Sequence, residues 1–303
     1  MGESRAYRLK DDESLPAGVA RIARGRIDHA IDELGGDTDS SPVEAVHEAR
    51  KDMKKLRALL RLARGELGDD TYVRENACYR DAARELAGAR DSDVMLETLA
   101  ALTYLPPGQG WEVRKRIQAD LARNGDPGDR DAAARTAVTI LEEARRRVSR
   151  WPLEHESFAA LASGLERTYR RGRRDFKAAA DEPTVESLHE WRKRVKELWY
   201  HHSLLRPLWP PVMETVGDEA HVLSDRLGDD HDLAVLAAWV EEHGAAGADF
   251  FAAVDRRRGE LQAEAFALGS RVYAEKPNAY VERMERLWDA RAEAARQQSR
   301  AKS

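Results

Sequence analysis

The sequence predicts an all-α protein, and three observations carry that prediction. Apolar residues recur at helical spacing along nearly the whole chain, while apolar–polar alternation over a strand length is hard to find. Ala, Leu, Arg and Glu dominate and Val, Ile and Thr are sparse, a composition that favours helices. Only 20 Gly and 11 Pro fall in 303 residues, which leaves few breaks and long elements.

The breaks define about ten helical segments. They fall at Gly35-Gly36-Asp37, Gly65 to Asp70, Pro106-Pro107-Gly108, Asn124 to Gly128, Trp151-Pro152, Glu182-Pro183, Pro207 to Pro211, Gly244 to Gly247 and Pro277. Ser40-Ser41-Pro42 with Glu44 predicts a helix start with proline in the first turn. A later helix runs from Tyr72 to Leu86 and carries Cys78, expected to be buried without catalytic context. Leu161, Leu165, Tyr169, Gly172 and Phe176 form an apolar stripe, and Gly172, like Gly25 earlier, permits close helix approach. Pro183-Thr184 with Glu186-Ser187 opens the next helix as Ser41 and Glu44 open theirs. The Arg-rich tail after Trp288 is expected to fray at its end.

Charged residues make up 35% of the chain, against about 25% in ordinary globular proteins. Hydrophobic residues still make up 42%, so the chain folds around a real core beneath a heavily charged surface. The formal charge is −5, whereas a general nucleic-acid binder is usually globally basic, so any anion-binding role has to arise from local clustering. The single cysteine excludes a disulfide framework and an all-cysteine zinc site. No apolar run approaches the roughly 18 residues that span a bilayer, and the N-terminus lacks a signal-peptide core. A soluble, cytoplasmic protein without membrane partners is expected.

The chain also repeats itself. Residues 46–62 read VHEARKDMKKLRALLRL and residues 188–205 read LHEWRKRVKELWYHHSLL. His47, Glu48, Arg50, Lys51, Lys54 and Leu56 fall on His189, Glu190, Arg192, Lys193, Lys196 and Leu198 at an offset of 142. Upstream, Arg24-Gly25-Arg26 echoes Arg171-Gly172-Arg173. Downstream, Leu86, Arg90-Asp91 and Val94 echo Leu227, His231-Asp232 and Val235. A period near 140 is too long for a solenoid unit and points to two homologous halves. Short connections favour antiparallel neighbours, so each half is expected to be a four-helix bundle, residues 10–150 and 151–295.

On a helical wheel His47, Arg50, Lys51, Lys54, Arg57 and Arg61 share a broad face, with Met53, Leu56 and Leu60 turned away. In the second copy His189, Arg192, Lys193, Lys196 and Tyr200 share one face opposite Trp191, Val195 and Leu198. From His47 to Arg64 there are seven cations against two acids in a protein of net negative charge. Like charges at these spacings cost a few tenths of a kcal/mol per pair, so a face kept in both halves is either offset by nearby acids or holds an anion. Arg forks and Lys point charges suit phosphate oxygens, and one basic group per turn suits a linear polyanion.

The doubled pattern His-x-x-Arg-Lys-x-x-Lys, each copy followed by a Leu-rich helix and an Arg-Asp or His-Asp segment, resembles the conserved histidine α-helical (CHAD) family over about residues 10–295. The resemblance implies one CHAD domain of two four-helix bundles about a pseudo-twofold axis, with a basic groove that binds inorganic polyphosphate. It carries the ligand role onto His47, Arg50, Lys51 and Lys54 and onto His189, Arg192, Lys193 and Lys196. Arg57 and Arg61 extend the first stripe by spacing alone, and Trp199 and Ser203 replace them in the second copy, so that side is expected to be shorter. Arg26 and Arg173 match between halves and are further candidates. Family members are often fused to a CYTH triphosphate-tunnel domain; 303 residues leave no room for one, so a stand-alone form, at polyphosphate granules or elsewhere in the cytoplasm, is expected.

The remaining chemistry reads as structural. His201 and His202, adjacent on a helix, point about 100° apart and cannot easily share a metal. Asp91 and Asp93, with Asp229, Asp230 and Asp232, resemble acidic clusters that hold Mg²⁺, which leaves a metal-dependent polyphosphate or triphosphate hydrolase as an alternative; capping or pairing with a basic stripe is the simpler role. No P-loop, dinucleotide fingerprint, HExxH or GxSxG is present, and neither a cofactor nor enzyme activity is expected. An adaptor that docks an acidic protein or nucleic acid is a third reading, although the acidic surface argues against a wide nucleic-acid footprint.

Overall fold

A computed structural model describes residues 5–86, 91–102, 105, 108–124 and 127–302, and among them every regular element is helical. The helices are α1 (Leu15–Gly35), α2 (Pro42–Leu62), α3 (Arg64–Glu85), α4 (Asp91–Ala101), α5 (Gln109–Asn124), α6 (Pro127–Arg147), α7 (Ala159–Asp181), α8 (Val185–Leu204), α9 (Pro210–Glu242), α10 (Ala248–Val272) and α11 (Pro277–Lys302). Short 3-10 turns sit at Val148–Arg150 and Arg206–Leu208.

The helix that carries each copy of the repeated motif starts on a capping box. Ser41 and Glu44 exchange side-chain and backbone hydrogen bonds at the head of α2, and Thr184 and Ser187 do the same at the head of α8. The predicted break at Gly65 to Asp70 is narrower than the sequence implies. α2 ends at Leu62, α3 starts two residues later, and Gly68 at φ 70° kinks α3.

Helices α1, α2, α3 and α6 pack in a ring, and α7 to α10 pack in succession, with α11 laid on α7. The interior does not divide where the repeat divides. One apolar cluster runs from Leu15, Ile22 and Met53 through Leu165, Trp191 and Leu198 to Tyr280 and Met284. A second joins Met95, Leu99, Val113 and Ile117 of α4 and α5 to Leu236, Val240, Phe250 and Val254 of α9 and α10, so helices of the first half complete the core of the second.

The two motif helices meet directly. His201 of α8 lies fully buried with Nε2 at 2.9 Å from the Ala58 carbonyl of α2, and Tyr7 reaches the Lys55 carbonyl at 2.9 Å while its ring meets that of Tyr200 edge-on. Gly172 allows α7 to approach the last turn of α10, since a Cβ there would stand 2.4 Å from the Tyr273 hydroxyl.

Candidate anion-binding site

The apolar stripe of α2 is spent on the core through Ala49, Met53, Leu56 and Leu60, which leaves its cationic side outward. A cavity of about 180 Å³ opens there, lined by His47, Arg50 and Lys54 of α2, Val94 and Met95 of α4, and His231, Asp232 and Val235 of α9. The second copy arrives from α8. The His189 ring packs on that of His231 with centroids 4.3 Å apart, and the charge of Arg192 acts on both histidines. Lys196 is half-buried beside Arg192 and within the field of Lys51, and the carboxylates of Asp225 and Asp232 oppose that field. Lys193 stands exposed at the rim. The structure therefore brings eight of the twelve candidates into one cationic neighbourhood.

The electrostatics record the crowding. Burial and then the neighbouring cations, Arg192 first, hold Lys196 below the ordinary lysine range. Burial, then His231, Lys193 and Arg192, push His189 down to about 4, so the ring is neutral at pH 7. His231 is shifted the same way by burial and Arg192, against the carboxylates of Asp232 and Asp230. Buried polar atoms on this face, Nε of Arg192 and Nδ1 of both His189 and His231, have no hydrogen-bond partner among the described residues. Such groups are costly to leave unsatisfied, and oxyanion oxygens are what would satisfy the guanidinium.

Acids trim the face without neutralising it. Glu48 holds Lys51 at 3.1 Å and Glu190 holds Lys193, the same i,i+3 pair at matching positions of the repeat. Asp52, the other acid in the first stripe, points away to Arg26 and His29 at 3.0 and 2.6 Å.

Four candidates lie elsewhere. Arg26 is buried at 8% exposure, its Nη1 on Asp52 and its Nη2 on the Arg5 carbonyl, so it ties α1 to α2 and to the N-terminal segment instead of meeting an anion. Arg173 donates to the Glu275 carbonyl at 2.7 Å and closes the turn before α11. Arg57 donates to Asn76 of α3 at 3.1 Å, and Arg61 pairs with Glu197 of α8 at 3.3 Å. A buried carboxylate where the first stripe meets α8 thus ends the cationic run at Lys54, seven residues earlier than the spacing predicts.

His231, Asp232, Val94 and Val235 join the site although the sequence did not count them as ligand candidates. The downstream echo that aligns Val94 with Val235 marks the segments that face each other across the cavity. Asp232 lies inside α9 and offsets the charge of Lys196 instead of capping a helix. Asp230 is structural, held by Arg258 at 3.0 Å and Gln262 at 2.8 Å. The side chains of Asp91 and Asp93, and all of Arg90, lie outside the described residues. Among the described residues no three His, Cys, Asp or Glu side chains group as metal ligands, and no helix is long and apolar enough to cross a membrane. Cys78 is half-buried with Arg147 at 3.3 Å from its sulfur, and burial raises its pKa.

An all-helical protein with a paired cationic face is the class that fold and site define. The CHAD domain family model matches residues 21–241, and the chain belongs to that family. The crystal structure of the CHAD domain from the plant Ricinus communis is similar over 93% of this chain and 95% of that one, with a TM-score of 0.62 at 19% identity. No curated protein matches the chain.

Proposed function

We propose that this protein binds inorganic polyphosphate without catalysis, through the face shared by α2 and α8. The observation that carries this reading is the convergence of both motif copies: Lys51 of one lies in the field of Lys196 of the other, around a cavity that holds His47, Arg50 and Lys54. Cations crowded together on one face repel one another, and a polyanion relieves that repulsion. The resemblance that the sequence carries implies the same ligand. Recognition rests on charge and spacing, with no groove-reading element for bases, and a polyphosphate-granule location follows if binding holds in the cell.

Calorimetric titration with long-chain polyphosphate at low and physiological salt, with duplex DNA as comparator, tests the reading. Tight polyphosphate binding that weakens with salt, together with weak DNA binding, is the expected result. Absence of polyphosphate binding at both salts refutes it, DNA binding of equal strength moves the protein to a general polyanion adaptor, and magnesium-dependent phosphate release refutes the non-catalytic assignment.

A further inference from the structure

The two motif arginines, equivalent by sequence, are held differently. Arg50 reaches the Leu86 carbonyl at 3.5 Å, where α3 has ended and the last carbonyls of the helix lack intrahelical donors. The equivalent residue for Arg192 is Leu227, in the middle of α9, where backbone carbonyls are already used within the helix. Arg192 instead lies against Gly228. A Cβ on that glycine would stand 2.9 Å from Nη2, 3.2 Å from Nε and 3.3 Å from Cζ. The guanidinium therefore occupies the space that any other side chain would take, and its Nε is buried without a hydrogen-bond partner among the described residues.

We propose that Gly228 is a positioning residue whose bare Cα seats the Arg192 guanidinium against α9, making Arg192 the principal anchor for a phosphate oxygen on this face. The inference rests on the polyphosphate reading and adds an asymmetry to it: Arg50 is partly satisfied by the backbone, while Arg192 keeps its demand for an acceptor. Glycine inside a 33-residue helix is otherwise unfavourable, because it loses more conformational freedom on folding than any other residue. The obstructing atoms belong to the end of a flexible side chain, so alanine at 228 displaces Arg192 and leaves the helix intact.

The experiment titrates long-chain polyphosphate into the full chain as wild type, Gly228→Ala, Arg192→Lys and the double variant, with a thermal melt of each. Gly228→Ala is expected to lose about tenfold in affinity, the worth of one charge-assisted hydrogen bond, with its thermal midpoint unchanged or raised. Arg192→Lys keeps the charge, lacks the guanidinium fork and loses a similar factor, and adding Gly228→Ala to it changes nothing further. Wild-type affinity in Gly228→Ala overturns the inference, as does a loss that persists in the Arg192→Lys background. Absence of binding by the wild type instead overturns the polyphosphate reading and the anchor with it, so the two failures are told apart.

Discussion

Polyphosphate should bind more tightly as the pH falls, and His189 sets the size of the effect. Its ring faces His231 across 4.3 Å, with Arg192, Lys193 and Glu190 beside it on α8 and Asp230 and Asp232 flanking His231 on α9. In the free protein burial and these cations hold it at about 4. A bound phosphate supplies negative charge that offsets the neighbouring cations but not the burial, so a return to the ordinary value near 6.5 is the upper bound of the shift. At pH 5 the free ring is then about one-tenth protonated and the bound ring almost fully so, whereas at pH 8 both are neutral. Linkage then raises the affinity at pH 5 over that at pH 8 by up to about 30-fold from this one residue, with uptake of up to about 0.9 proton per site. The assay is calorimetry in two buffers of different ionisation enthalpy, on the wild type and on His189→Gln. Internal groups of a long polyphosphate stay ionised throughout, so the ligand adds little of its own. A flat affinity between pH 8 and 5, or a rise retained in full by His189→Gln, would show that the histidine pair is a packing feature uncoupled from the anion. Circular dichroism at pH 5 must accompany the titration. Burial lowers His201 to about 4 and His202 to about 3, below their unfolded value near 6.5. The unfolded chain then binds more protons below pH 6.5, and the fold loses stability as the pH falls from there towards 4.

Three further predictions follow from the geometry. Charge reversal at half-buried Lys196 should cost at least about tenfold in polyphosphate affinity and flatten the salt dependence, while reversal at exposed Arg171 should cost less than about twofold; equal effects refute a localised face. Arg61→Ala should lower the thermal midpoint by the equivalent of about 1 kcal/mol, because buried Glu197 loses one of its two arginine partners and keeps Arg194, and change affinity by less than about twofold; the reverse pattern restores Arg61 to the binding face. Gly164→Ala should destabilise by about 3 kcal/mol or more in chemical denaturation, because its Cβ would stand 2.0 Å from the Leu62 carbonyl and 2.6 Å from that of Arg61, backbone atoms that cannot swing aside. A wild-type denaturation midpoint would refute the close approach of α7 to the end of α2.

Helical class, the starts of α2 and α8, and the cationic faces were legible in the sequence because each is a local property. Capping residues act within one turn, and the face of a helix follows from residue spacing. The repeat added a non-local clue, since matching segments occupy matching places: Arg50 and Arg192 lie at Leu86 and beside Gly228, the residue after Leu227, and Val94 and Val235 line one cavity. The count of helices and the shared interior were not legible, because an apolar stripe records that it is buried and not against what. The stripes of α4 and α5 read the same whether they close the first half or, as here, cover α9 and α10.

The division is sharpest among the arginines. Composition, periodicity and repetition determined by themselves that the chain is helical and that it carries two matching basic stripes. They could not rank one cation above another, since spacing on a wheel treats Arg57 and Arg61 like Arg50 and Lys54. Tertiary structure decided that by supplying partners from distant sequence: Asp52 takes Arg26, the Glu275 carbonyl takes Arg173, Asn76 takes Arg57 and Glu197 takes Arg61. Those four cations are held by groups 19 to 136 residues away along the chain, which no spacing on a wheel records.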